Sequence, residues 1–348
     1  MALDELYPRS GEWLKGTGPE SDIVISSRIR LARNLEDFPF QSRLSEDKRT
    51  RLESLLRDGI EAAGISGSPA YMNLRGADPI DCTLLVERHL ISREHAEDEG
   101  DRGVAYTSSE TVSIMTIEED HLRIQVMRSG FQLDEAWKTI DEVDTKLEGR
   151  FPYAFSSEYG YLTACPTNVG TGMRVSVMLH LPALVMTRQI EKVFNAVARL
   201  NMVVRGLYGE GTHASGDFYQ ISNQVTLGRS EEEILAEFRE IVPKIISYER
   251  KIRSKFLESH RPNLEDKVWR AVGSLQSARQ ISSEETMERL SMVRMGVNLG
   301  IVEEIEIGTV NELFILSQPA HLQKLEGQVL DPGERDIVRA RFIRDHLN

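Results

Sequence analysis

Strand signals in this 348-residue chain crowd into the first two-thirds and nearly vanish after about Ser230. Segments 111–117 and 121–128 are rich in Val, Ile and Thr and flank a turn at Glu118–Asp120. Such residues favour strands because their stiff side chains pack well on a pleated surface. Strand-like 173–181, 201–207 and 218–227 follow, with helix-like 183–200 among them. A helix is predicted over Ser45–Ala63, with Ser45 as N-cap, Glu46 and Asp47 in the first turn and Gly64 as the stop. Another starts at Leu133, where Ala136, Trp137, Ile140 and Leu147 recur at helical spacing. Past Ser230, Leu235, Phe238, Ile241, Val242 and Ile245 mark one long amphipathic helix, bent at Pro243. Further helical patterns cover 262–279, 283–298 and 331–347, with a break at Pro262–Asn263. The pattern predicts an α+β fold: a largely antiparallel sheet flanked by helices over 1–255, then an all-α domain over 256–348.

The bulk properties exclude several classes. A net charge of -13 opposes non-specific nucleic-acid binding and suits a cationic substrate. With only Cys82 and Cys165 there is no disulfide framework, which fits a reducing compartment. The start MALDELYPRSGEW lacks the basic-then-apolar pattern of a secretory signal. The longest mostly apolar stretch, Val175 to Met186, is interrupted by His180 and Pro182 and falls short of the roughly 20 residues a spanning helix needs. A cytoplasmic protein without direct nucleic-acid or membrane partners is expected.

No Gly-Lys-Ser/Thr phosphate loop and no His-Arg-Asp loop is present. The chain offers instead arginines within strand-like segments. Arg28 and Arg30 are two apart and so share a strand face; Arg123, Arg174 and Arg205 also sit beside β-branched residues. Taken singly, each is most simply a surface ion-pair partner. Taken together they suit phosphoryl transfer, which needs positioning and cancellation of negative charge more than covalent help.

Five segments in order, SSRIRLARN, IEEDHLRI, CPTNVGTGMR, RGLYGEG and FYQISN, resemble the motif series of the phosphagen (guanidino) kinases over roughly residues 20 to 250. The resemblance implies a helical layer over an antiparallel sheet, and ATP as phosphoryl donor with Mg²⁺. It implies that Arg28, Arg30, Arg123, Arg174 and Arg205 cradle the phosphates, together with Ser26, Ser27, Ile29, Val175, Ser176, Val177, Met178, Gly206, Leu207, Tyr208 and Gly209 from the same segments. It also implies that His89, otherwise an ordinary helix-face histidine, lies against the nucleotide. Glu119 and Glu210 match the two substrate carboxylates, each able to accept paired N–H bonds from a guanidinium. One of them takes the proton lost on N–P bond formation; Glu119 is favoured. Cys165 falls at the position of the reactive cysteine, where a thiolate would stabilise the cationic substrate. No carboxylate cage for a metal is evident, so Mg²⁺ is expected on ATP oxygens and waters.

Three departures separate the chain from kinases of small guanidines. Only some twenty-odd residues precede SSRIR, Ile117 stands where Asn is usual, and about a hundred residues follow the catalytic part. In these the chain is similar to the bacterial protein-arginine kinases. That likeness implies protein substrates with accessible arginines, a heat-shock repressor among them, marked for a Clp-type protease. In RDIVRA, Arg335, Asp336, Arg339 and Ala340 resemble an allosteric phosphoarginine site: an arginine would take the phosphate and Asp336 the guanidinium. Without the likeness these would be a charged helix face. A homodimer or larger assembly is also implied, with apolar residues such as Met287, Leu290 and Phe314 available to build it. The competing readings are a kinase for a free small guanidine and a catalytically silent adaptor that binds phosphoarginine.

Overall fold

The computed structural model describes Leu3, residues 6–206 and residues 215–348. Glu210, Leu207, Tyr208 and Gly209 lie outside the described residues.

The strands are β1 (Val24–Arg33), β2 (Ala70–Asn73), β3 (Gly103–Tyr106), β4 (Val112–Thr116), β5 (Leu122–Ser129), β6 (Phe155–Ser156), β7 (Gly160–Tyr161), β8 (Met173–His180), β9 (Met202–Gly206) and β10 (Phe218–Asn223). All except the short β6–β7 hairpin join one sheet of order β2-β3-β4-β5-β1-β8-β10-β9, and every pair in it is antiparallel. Each central strand alternates in chemistry, so register decides what each face carries.

The helices are α1 (Glu46–Ala62), α2 (Pro79–Glu87), α3 (Arg93–Glu97), α4 (Leu133–Glu148), α5 (Pro182–Met186), α6 (Ile190–Ala198), α7 (Glu231–Ser277), α8 (Ser283–Asn298), α9 (Ile307–Leu316), α10 (Pro319–Glu326) and α11 (Pro332–Leu347). One core packs Ile29, Leu31, Ile124, Val175 and Val177 of the sheet against α1, α4, α6 and the first half of α7. A second core joins Leu264–Leu275 of α7 with α8, α9 and α11, and takes in Met127, Met178 and Phe218 from the sheet. The C-terminal helices therefore cover part of the sheet's second face, and a third core packs Val104, Tyr106 and Met115 of that face against Leu84 and Leu85 of α2 and Ala320 of α10.

Two expectations are modified. The helix predicted over 183–200 is two helices, α5 and α6, separated where Arg188 adopts φ +56. The break expected at Pro262–Asn263 appears two residues earlier, as a kink at the non-helical His260 (φ -137) that divides the 47-residue span of α7, whereas Pro243 is accommodated within its first part. The Pro262 ring crowds the preceding turn, which suffices to distort it. The start of α7 is fixed by a capping box: the Glu233 N–H donates to Ser230 Oγ at 3.2 Å, and the Ser230 N–H donates to Glu233 Oε2 at 2.8 Å.

Candidate active site

Register alone gathers the arginines. Arg30 lies directly opposite Arg174, and Ala32, two residues along the same face, is opposite Arg123. Arg28 is opposite Ser176, Ser176 opposite Ser222, and Gln220, two positions from Ser222, opposite Arg205. With a side-chain period of two, Arg28, Arg30, Arg123, Arg174 and Arg205 all project from one face. Ser27, Ile29, Val175 and Val177 point the other way and are buried, three of them in the first core. Four of the five arginines, Arg30, Arg123, Arg174 and Arg205, line a cleft of about 700 Å³ with Glu118, Glu119 and Cys165. Arg28 sits one step toward the closed end, where its Nε donates to Ser176 Oγ at 3.2 Å and its Nη2 to Gln220 Oε1 at 2.6 Å.

These guanidiniums are short of counter-charge. Burial, then the charges of Arg174 and Arg123, push Arg28 down to about 10. Arg30 is driven down by burial and then by Arg28, Arg123 and Arg174, against which Glu118 offers partial relief. An arginine keeps its proton in such a site, so the shift expresses stored repulsion instead of deprotonation. The buried Nε atoms of Arg30 and Arg174 have no hydrogen-bond partner. Unpaired buried donors amid clustered positive charge fit a polyanion such as a triphosphate.

The acidic wall comes from the β4–β5 hairpin. Ile117, fully buried, adopts φ +57, costly for a β-branched residue and easier for Asn. Glu118 faces inward: its Oε1 lies 2.7 Å from Arg123 Nη1 and accepts from Ser92 Oγ at 2.7 Å. Burial works to raise its pKa, but Arg123 and these donors prevail and hold it low. Glu119 extends into the cleft with its Oε2 3.4 Å from Arg123 Nη2. Burial lifts Glu119 above the usual carboxylate range despite Arg123. Two adjacent carboxylates are thus pushed in opposite senses, one tied to an arginine and one prepared to take a proton.

Asp120 ties this hairpin to the cysteine loop, accepting from Asn34 Nδ2 at 2.7 Å and from the Ala164 N–H at 2.7 Å. One residue on, Cys165 has its Sγ 3.0 Å from Thr167 Oγ1, and Thr163 Oγ1 donates to the Cys165 carbonyl at 2.7 Å. The loop then returns to the sheet through Gly172, whose φ of +63 suits glycine and where an added Cβ would meet the Ala32 carbonyl oxygen at 2.6 Å. Asp120→Ala is expected to fold, keep its KM for ATP and lose about 100-fold in kcat, because an error of about 1 Å between reacting groups costs that much. Steady-state kinetics at varied ATP checks this.

His89 is not among the cleft-lining residues but lies beside Ser26, Arg28, Ser176 and Met178 on the same sheet face. It borders two small cavities of about 20 and 10 Å³ beside Trp13 and Met178, far below the several hundred Å³ of a ligand pocket. The Trp13 and His89 rings meet edge-to-face with centroids 5.2 Å apart. Burial, then Arg28 and Arg30, lower its pKa to about 3, so the ring is neutral. Sequence reasoning missed Glu118, Asp120, Ser92 and Asp98. The first two stand inside the acidic motif; the last two carry no sequence signal.

Residues 51–252 match the ATP:guanido phosphotransferase C-terminal catalytic domain, and residues 261–348 match the protein-arginine kinase McsB C-terminal domain. The chain is 50% identical to a protein-arginine kinase of Symbiobacterium thermophilum, with 100% of each covered. It is 46% identical to one of Bacillus subtilis, covering 97% of this chain and 93% of that protein. The chain belongs to the protein-arginine kinase family. Among solved structures it resembles lombricine kinase (TM-score 0.60, 27% identity, 73% of this chain and 72% of that one). It also resembles the duplicated taurocyamine kinase of Schistosoma mansoni with bound transition-state analogue components (TM-score 0.61, 30% identity, 72% and 35%). The phosphagen-kinase fold read from the motifs is thereby shown, and with it a phosphotransferase enzyme.

The helical C-terminal part of this chain carries RDIVRA on α11. Arg339 is buried and donates to the carbonyls of Ser317 and Ile281, each at 2.9 Å, as well as to Asp336. Asp336 is thus engaged by Arg339. Arg335 donates to the Leu330 carbonyl at 3.0 Å and stays half-buried, and Ala340 is buried. Among the described residues, no group of three or more His, Cys, Asp or Glu converges to hold a metal, and no helix is long and apolar enough to cross a membrane.

Proposed function

We propose that this chain transfers the γ-phosphoryl group of ATP to the guanidinium of an arginine within a protein. The observation that carries the reading is the cleft itself, where four arginines face two carboxylates and a cysteine. Arg30, Arg123, Arg174 and Arg205 hold the phosphates, with Arg28 behind them. Glu119, with Glu210, which lies outside the described residues, grips the flat cation through paired N–H bonds. The attacking nitrogen is thereby held in line with the γ-phosphorus. As the N–P bond forms and the bond from phosphorus to the ADP oxygen breaks, the guanidinium proton passes to Glu119, whose raised pKa suits it as base. Cys165 beside them supplies negative charge to the bound cation. Mg²⁺ bound to the ATP oxygens would neutralise developing charge, and Glu118, whose pKa Arg123 holds low, would be available to accept from its waters.

The family reading extends the proposal. Client proteins, including a heat-shock repressor, are marked for a Clp-type protease in the cytoplasm. Phosphoarginine binding at Arg335, Asp336, Arg339 and Ala340 regulates a homodimer or larger assembly in a stress response, and function divides at about residue 255 between the catalytic and regulatory parts. Because Asp336 and Arg339 hold each other, a phosphoarginine there has to compete for Asp336, leaving Arg335 as the readier phosphate ligand.

Cys165→Ser is expected to fold with an unchanged thermal midpoint and lose most of its activity, measured as ADP formation with an unfolded basic protein; wild-type turnover removes Cys165 from the mechanism. ADP release driven by free L-arginine, and not by the unfolded protein, would place the chain among kinases of small guanidines instead.

A further inference from the structure

The short helix α3 is a partition. Ser92, Glu94, His95 and Asp98 line the catalytic cleft, while Arg93, Ala96, Glu97, Asp98 and Glu99 line a second groove of about 660 Å³. Asp98 borders both, so the two depressions meet at its carboxylate. The groove nearly equals the cleft in volume, and no step of the proposed chemistry uses it.

Its walls have a definite character. Leu74 and Ala77, with Pro79 and Val86 of α2, supply an apolar floor. The lip on the α3 side is acidic. Glu97 and Glu99 are exposed and make no ion pair or side-chain hydrogen bond among the described residues. Asp98 is fixed at the crest by Arg49. Of the two basic residues on the groove, Arg102 is buried, with its guanidinium donating to the carbonyls of His95 at 2.6 Å, Gly100 at 3.0 Å and Ala96 at 3.1 Å. Arg93 alone remains as an exposed positive charge there. The lip is therefore net negative over an apolar floor.

We infer that this groove receives the polypeptide flanking the acceptor arginine, taking an apolar side chain on its floor and a Lys or Arg at Glu97 and Glu99. The inference rests on the proposed protein-arginine substrate. Its occupant follows from continuity and charge: a chain whose arginine enters the cleft must leave over one of its rims. The rim at Asp98 opens onto a groove of matching size and complementary sign. A free small guanidine would leave it empty.

The test uses the full chain, Mg-ATP and three peptides of equal length, each with a single acceptor arginine flanked on both sides by Leu-Lys, Leu-Glu or Gly-Ser. ADP release gives KM and kcat for each. The Leu-Lys peptide is expected to show a KM about tenfold below that of Gly-Ser, with similar kcat. E97K/E99K should reverse the order of the Leu-Lys and Leu-Glu peptides while leaving kcat and the KM for ATP unchanged. Thr83→Trp, at an exposed α2 position on the groove, should raise KM for both leucine peptides and not for Gly-Ser. Equal KM values for all three peptides, or a charge reversal without effect, overturn the docking site and leave the protein-arginine reading standing. Phosphorylation of none of the peptides, with turnover on a free guanidine, overturns both.

Discussion

Glu119→Gln is expected to lower kcat by about 100- to 10,000-fold, the usual contribution of a positioned general base, while the KM for ATP changes little. Gln keeps the shape and one accepting oxygen but takes no proton. The wild-type pH profile provides the control. A base must be ionised to act, so kcat/KM rises as pH increases through the pKa of Glu119. Burial in the cleft moves that acid limb above the ordinary glutamate value, since it outweighs the pull of Arg123. In Glu119→Gln the limb should vanish along with the rate. A variant that keeps wild-type kcat, or loses rate but keeps the limb, would transfer the proton to another group, Glu210 first.

The second large effect is on stability, at the junction between the helical domain and the catalytic sheet. Arg88, 1% exposed, ion-pairs with Glu110, 2% exposed, and reaches His321 Nε2 at 3.0 Å and the Arg9 carbonyl at 2.8 Å. Glu87 caps the start of α10, accepting from the Ala320 N–H at 2.8 Å, the His321 N–H at 3.2 Å and His321 Nδ1 at 2.8 Å. One neutral tautomer of His321 satisfies both neighbours: Nδ1–H donates to Glu87 and Nε2 accepts from Arg88. Arg88→Met leaves Glu110 buried without its counter-charge and is expected to cost about 3–5 kcal/mol. Adding Glu110→Gln should recover much of that loss, so a double-mutant cycle in urea reads out the pairing. Additive losses would deny the coupling.

The same junction carries an acid dependence. Burial lowers the pKa of His321 below 6.5 even though Glu87 favours its protonated form. A histidine depressed in the fold binds its proton more tightly when unfolded, so its contribution is complete above about 6.5 and falls away as pH drops. Arg88 therefore meets a lone pair at neutral pH, and in acid the unfolded chain gains the proton first.

Legibility in the sequence followed the physics of each segment. The central sheet was readable because SSRIRLAR sets Arg28 and Arg30 between Ile29 and Leu31, and LRIQVMRS is rich in strand-favouring residues, although Arg33 and Arg128 break the alternation. The long amphipathic start of α7 was readable for the corresponding helical reason. Residues 70–106 were silent: β2 and β3 have four residues each, and β3 is buried throughout, so neither shows alternation. α2 and α9 are short and mostly apolar, with too few polar residues to mark an amphipathic stripe. In the site, the arginines could be placed on one face from spacing within a strand, but their convergence across β1, β5, β8 and β9 depends on register between strands far apart in sequence. The surroundings of His89 were not legible either, since Trp13 from a distant segment packs edge-to-face on its ring. The division of labour between Glu118 and Glu119 likewise needed three dimensions, because only packing reveals which of two adjacent carboxylates meets Ser92 and Arg123 and which faces the cleft.

The most direct test is mass spectrometry of an unfolded protein incubated with the full chain and Mg-ATP, worked up without acid so that N–P bonds survive. Phosphate on arginine side chains, absent from a parallel incubation with Glu119→Gln, is the predicted result. Phosphate confined to serine, threonine or tyrosine, with none on arginine, would contradict it.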